Sequence, residues 1–178
     1  MLARTDAELV DAARKGDVSS FGELYRRHYA ATVGIAYCRL ADHHLAEDAA
    51  QEAFAVACRD LGRLRQMDRF AQWLGAICRK VAIRAAKSRF RHSLPEDTAL
   101  AAKTTGSDER LEAVRQSVER LPAAAREVVL LHYFSGLSYE KIAATLGTSP
   151  QAVHGRLLRA RRKMAEDLRR NGLGRREP

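Results

Sequence analysis

Between Arg79 and His92 the chain carries six lysines or arginines and no acid, and between Pro150 and Met164 it carries five and no acid. Ammonium and guanidinium groups bind polyanions by displacing the counterions condensed along a nucleic-acid backbone, and a guanidinium also pairs with the edge of guanine. A formal charge of +9 over 178 residues and a sequence pI near 9.9 favour the same kind of partner. The competing reading is a solvated basic surface. Confinement of the charge to two stretches argues for binding.

Catalytic chemistry finds no matching support. Cys38, Cys58 and Cys78 lie twenty residues apart, which fits neither a CxxC pair nor a zinc-ligand spacing, so they read as buried thiols. His43 and His44 are adjacent, so on a helix they point about 100° apart, and no nearby cysteine completes a metal set. The acids Glu47, Asp48 and Glu52 lack the partners of a metal nuclease. The chain also has no HxE…CxxC motif and no GKS or GKT phosphate loop. The expectation is a non-enzymatic protein that needs no metal and no cofactor.

These residues must be carried by helices. Glycine and proline are scarce, and valine, isoleucine and threonine never alternate with polar residues over a strand length. No apolar run approaches twenty residues, mean hydropathy is -0.36, and the first residues lack a secretory pattern, so a cytoplasmic protein without membrane insertion is expected. Asp6 is expected to cap a short helix to about Lys15. A longer one starts near Ser19 and buries Phe21, Leu24, Tyr25, Tyr37 and Leu40. Asp42 caps a third through about Arg59, the segment from Cys58 to Asp68 is a loop, and Phe70, Leu74, Ile77 and Val81 form the apolar stripe of the helix that follows. Residues 92–107 are too polar and turn-rich to place in a helix. The fold expected is all-α, with two small helical domains, 1–91 and 108–178, joined by a flexible linker.

In the second domain Leu111, Val114, Val118 and Leu121 form a stripe. Pro122 suits the first turn of the next helix, and Gly136 ends that helix. Ser138 then starts a short helix, Gly147 permits a tight turn, and Ser149 caps a second helix with Pro150 at its first position. That pattern is a helix-turn-helix. Val153, Leu157, Ala160, Met164 and Leu168 face the core, so Gln151, His154, Gly155, Leu158, Arg159 and Arg162 face outward. Arg156 and Arg161 lie on the flanks. A helix of this width fits the DNA major groove.

The stretch LPAAAREVVLLHYFSGLSYEKIAATLGTSPQAVHGRLLRARRKM resembles the fourth region of the extracytoplasmic-function (ECF) group of the sigma-70 family. FGELYRRHY, AEDAAQEAF and FAQWLGAICRKVAIRAAK resemble that family's second region, in the expected order. The resemblance implies an RNA polymerase sigma factor that directs core polymerase to promoters. The fourth region would read the minus-thirty-five element, and the second would bind polymerase and melt the minus-ten element. It places Asp48, Gln51 and Glu52 against the clamp of the large polymerase subunit, and 58–68 in the loop that captures a flipped base. Arg59, Arg63, Arg65 and Arg69 would hold phosphates around that loop, and Arg79, Lys80, Arg84 and Lys87, with Arg89 and Arg91, would contact the duplex backbone. Leu61, Leu64 and Met67 either line the base pocket or pin the loop, while Phe70 and Trp73 read as core.

Arg159 is the leading base reader. The family usually has serine where Gly155 stands, so either the DNA backbone approaches closely there or specificity is reduced. His154 replaces a commonly basic residue, which makes that contact weaker or pH-dependent. The resemblance also implies an anti-sigma protein as partner. A stand-alone helix-turn-helix regulator is the alternative, although such proteins normally dimerise on a palindrome and no heptad seam is present.

Overall fold

The capping residues divide the chain into helices. The structure, a computed structural model, describes residues 4–92 and 109–171. Among these residues there are eight α-helices and no strand: α1 Asp6–Arg14, α2 Val18–Leu40, α3 His43–Asp60, α4 Phe70–His92, α5 Glu109–Glu119, α6 Ala123–Tyr133, α7 Tyr139–Leu146 and α8 Pro150–Arg170.

Several ends form as the sequence suggests. Asp42 accepts from the Leu45 amide, Ser138 from Lys141 and Ser149 from Ala152. Gly147 takes the left-handed conformation that closes α7. The start of α1 differs. Thr5, not Asp6, is the cap, because its hydroxyl accepts from the Glu8 amide while the Glu8 carboxylate accepts from the Thr5 amide. Asp6 is thereby free to bind elsewhere, and His28 Nε2 donates to its carboxylate at 2.7 Å. The cap of α2 is Asp17, which accepts from the amides and hydroxyls of Ser19 and Ser20. Those hydroxyl bonds hold its carboxyl down at about 2. Pro122 sits one position before the first turn of α6, and Gly136 takes a positive φ just beyond that helix. Of the expected linker, only His92 is among the described residues, and it ends α4.

The segment from Cys58 to Asp68 is more ordered than a plain loop. Helix α3 continues through Asp60, and short 3-10 turns follow at Leu61–Arg63 and Met67–Arg69. In α4 the fully buried row is Phe70, Leu74, Cys78 and Val81, with Ile77 only half-buried beside it. The spacing of Cys78 from Leu74 and Val81 keeps the row continuous, and its thiol donates to the Thr32 carbonyl at 3.3 Å. The three cysteines therefore divide. Cys78 is buried and Cys38 half-buried, with burial pushing both thiols up to about 12, whereas Cys58 is exposed on α3.

Helices α1 to α4 form one bundle and α5 to α8 a second, and the two share a continuous apolar core. Helix α2 packs on α6, and α4 on α7. The close approach is possible because Gly34 of α2 lies directly against Ser135 and Leu131, while Gly75 of α4 lies under Ile35 and the Thr145 carbonyl. Tyr37 stacks on Phe134 with ring centroids 4.8 Å apart and planes 8° from parallel. Arg79 of α4 donates to Glu127 of α6 at 2.9 Å, with side chains only 24% and 17% exposed.

A Gly34→Leu substitution is expected to wedge the two bundles apart, because a side chain there has no space beside Ser135 and Leu131. Small-angle scattering should show a larger radius of gyration than the parent; an unchanged radius would contradict the packing. Acid should weaken the seat of α1. The Asp6 carboxyl is held below its ordinary 3.8, first by the hydrogen bond from His28. The stability it adds is present above the unfolded carboxyl's pKa and is lost as pH falls through its lower folded value. Urea midpoints measured between pH 6 and pH 3 should fall less for Asp6→Asn than for the parent.

Candidate nucleic-acid interface

Along α8 the core positions Val153, Leu157 and Ala160 are buried, at 0, 1 and 2% exposure. Helix periodicity then turns Gln151, His154, Leu158, Arg159 and Arg162 to solvent. All five are exposed, while Gly155 and Arg156 are half-buried. None of the arginines on this helix forms an ion pair among the described residues. Leu158 is 42% exposed, an apolar side chain on this charged face. A Cβ added at Gly155 would touch nothing of the protein but the Arg159 guanidinium, at 3.5 Å, so internal packing does not require glycine there.

The second basic surface surrounds the two 3-10 turns. Arg59, Arg63, Arg65 and Arg69 are exposed on or beside them. Arg59 and Arg63 share the Asp60 carboxylate, at 3.3 and 3.7 Å. Leu61 and Leu64 are buried and pin the segment to the core, while Met67 is half-buried. Phe70 is wholly buried. Trp73 packs on Phe70 at 6.2 Å yet remains half-buried, standing between two open clefts. One, of about 480 Å³, is edged by Arg63, Arg65, Arg69 and Gln72; the other, of about 760 Å³, by Arg59, Lys80 and Arg84. An aromatic wall flanked by guanidinium groups suits an unstacked base and its phosphates.

On α4, Lys80, Arg84, Lys87 and Arg89 are exposed, whereas Arg79 is turned inward onto Glu127. In this conformation Arg79 is not presented to a phosphate. The side chain of Arg91 lies outside the described residues. On α3, Asp48, Gln51 and Glu52 form an exposed polar edge, and Arg84 reaches Glu52 at 3.5 Å, so the acidic edge and the basic face adjoin.

Arg14 joins the site although no local sequence pattern marks it. Its Nε and Nη2 donate to the Leu61 carbonyl at 3.1 and 3.0 Å, and Nη2 also donates to the Leu64 carbonyl. One guanidinium thus fixes both ends of the first 3-10 turn. The partners lie 47 and 50 residues away, and no spacing signals such a pair.

A helix-turn-helix whose outward basic face forms no ion pair among the described residues, joined to a second bundle with exposed arginines around the open Trp73 clefts, gives the molecule two separate basic surfaces. Residues 24–92 match the sigma-70 region 2 family and residues 111–164 match sigma-70 region 4. The ECF RNA polymerase sigma factor SigM of Mycobacterium tuberculosis is 31% identical, over 93% of this chain and 85% of its own. Among solved structures, CnrH in complex with the cytosolic domain of CnrY is 28% identical with a TM-score of 0.58, covering 92% of this chain and 96% of that one. RpoE in complex with the anti-sigma factor NepR, from Bartonella quintana, is 25% identical with a TM-score of 0.52, covering 85% and 98%. The chain belongs to the ECF group of the sigma-70 family, and its function is promoter-directed initiation by RNA polymerase.

Arg14→Ala should release the first 3-10 turn. Hydrogen bonds from a charged donor are worth about 1.5–3 kcal/mol. Hydrogen exchange should accelerate at the amides of 61–69 while α6 to α8 keep their protection; unchanged protection at 61–69 would contradict the clamp.

Proposed function

We propose that the two basic surfaces divide promoter recognition between them. Helix α8 enters the major groove of the minus-thirty-five element. There Arg159 is the principal base reader and Leu158 an apolar contact, with Gln151, His154, Gly155, Arg156 and Arg162 completing the face. The observation that carries this is the α8 surface itself: a capped, core-anchored helix whose outward arginines form no ion pair among the described residues.

The turns at 61–69 and the Trp73 clefts take the minus-ten element. Arg59, Arg63, Arg65 and Arg69 hold the backbone of the opened strand, and Lys80, Arg84 and Lys87 hold the adjoining duplex. Unstacking a base step requires a few kcal/mol, which aromatic stacking and phosphate contacts offset. No catalytic group takes part. Asp48, Gln51 and Glu52 dock on the clamp of the polymerase large subunit, through an exposed polar edge suited to a basic partner. An anti-sigma protein is the second protein partner, by likeness to RpoE bound to NepR. Among the described residues no helix is long and apolar enough to cross a membrane.

The test is transcription in vitro on a genomic promoter library, with core polymerase and purified protein, mapping start sites. Start sites that appear only with the protein and share two spaced upstream elements are expected. Arg159→Ala should lose the upstream element's contribution about tenfold, in line with about 1–3 kcal/mol for a bidentate base contact. No new start sites, together with tight binding of duplex DNA by the protein alone, would favour a stand-alone regulator.

A further inference from the structure

Tyr133 is the last residue of α6 and is 57% exposed, a large aromatic side chain that the core does not use. Arg161 of α8 donates its Nε to the Tyr133 hydroxyl at 2.6 Å, and its guanidinium carbon lies 5.5 Å from the centre of the Tyr133 ring. Two contacts therefore fix the guanidinium on one edge, and among the described residues it has no carboxylate partner.

The remaining hydrogen-bonding capacity points to a ligand. Arg161 keeps both terminal nitrogens for an acceptor, and the Tyr133 hydroxyl, which accepts from Nε, keeps its own proton to donate. Three donors in one place, with a full positive charge, suit the oxygens of a phosphate. The position is also informative. His154, Leu158 and Arg161 follow at intervals of four and three, so Arg161 lies on the row that borders the outward face of α8. Aromatic rings line the same border: Tyr139 lies 5.8 Å from His154 and 5.2 Å from His132, and His132 lies 4.8 Å from Tyr133. His132 Nδ1 donates to the Leu137 carbonyl at 3.0 Å, which holds the turn from α6 into α7 beneath these rings.

We propose that Arg161 and Tyr133 together form a phosphate-binding site for the DNA strand bordering the α8 groove, with Tyr133 the positioning residue for Arg161. This rests on the reading of α8 as the groove-entering helix. The site carries no base information. It sets how deeply and at what angle the helix enters, and so the register in which Arg159 meets its base.

The full-length protein is titrated with a fluorescent random-sequence duplex, and affinity is followed from 50 to 200 mM salt. Loss of one phosphate contact lowers the slope of log affinity against log salt by about 0.9, equivalent to about a threefold smaller loss of affinity across that range. Arg161→Ala is expected to show this. Tyr133→Phe is expected to weaken binding in the parent, with an unchanged thermal midpoint, and to have a clearly smaller effect in the Arg161→Ala background, where only the hydroxyl's own donation remains to be lost. Additive effects of the two substitutions would overturn the positioning role. Arg159→Ala and Arg162→Ala provide the separation: if they weaken binding and Arg161→Ala does not, the phosphate site is wrong and the α8 reading stands. If none of the three matters, the α8 reading itself fails.

Discussion

Helix α2 is buried around its whole circumference over six consecutive residues, Ala31 to Ala36. A surface helix of a single bundle cannot do this, because 3.6 residues per turn always sends some of any six to the solvent side. The segment is dry only because α3 and α4 cover one side and α6 covers the other. Gly34 lets α6 come close enough to exclude water, and Ile35 fills the space that Gly75 leaves open on α4. The remaining architecture follows from this enclosure. It fixes where α6 ends, hence where α7 and α8 lie relative to α4, and hence how the two basic surfaces are disposed.

Much of the local structure was legible because its determinants are close in sequence. Ser138, Gly147, Ser149 and Pro150 define the helix-turn-helix within a dozen positions, and the row Val153, Leu157, Ala160 fixes which face of α8 is outward. Thr5 was missed in favour of Asp6 because both are good caps, and the deciding carboxylate was Glu8, three residues beyond Thr5. Cys78 was passed over for Ile77 in the buried row because hydrophobicity alone does not rank a thiol above isoleucine. Packing against the Thr32 carbonyl does. The contacts least accessible to sequence reading join residues far apart along the chain: Arg14 with the 61–64 carbonyls, Arg79 with Glu127, and Tyr37 with Phe134.

The arginines fall into groups with different roles, although composition makes them alike. Arg14 and Arg27 are internal fasteners, the first spent on backbone carbonyls and the second on Glu23 and Asp6. Arg59, Arg63 and Arg84 are themselves exposed and pair with half-buried Asp60 or exposed Glu52, and pairs with an exposed partner contribute about 0–1 kcal/mol, so a phosphate competes with them easily. Arg159 and Arg162 form no ion pair among the described residues and are exposed. Net charge therefore overstates the binding surface, and internal pairing corrects it.

Arg79 belongs to none of these groups, and it links the fold to the function. Its ion pair with Glu127 joins the two bundles at a seam that also holds Gly34 against Ser135 and Tyr37 against Phe134. The pair lies only partly in solvent, so separating the bundles would leave two charges to be rehydrated and one arginine newly available. Two further polar groups near the seam, the Ser135 hydroxyl and Arg126 Nε, are buried without a hydrogen-bond partner among the described residues. Close apolar packing and an ion pair hold the bundles together. The pair with Glu127 thus holds Arg79 about 100° around α4 from Lys80, so one side of the helix faces the second bundle while Lys80, Arg84 and Lys87 stay exposed on another.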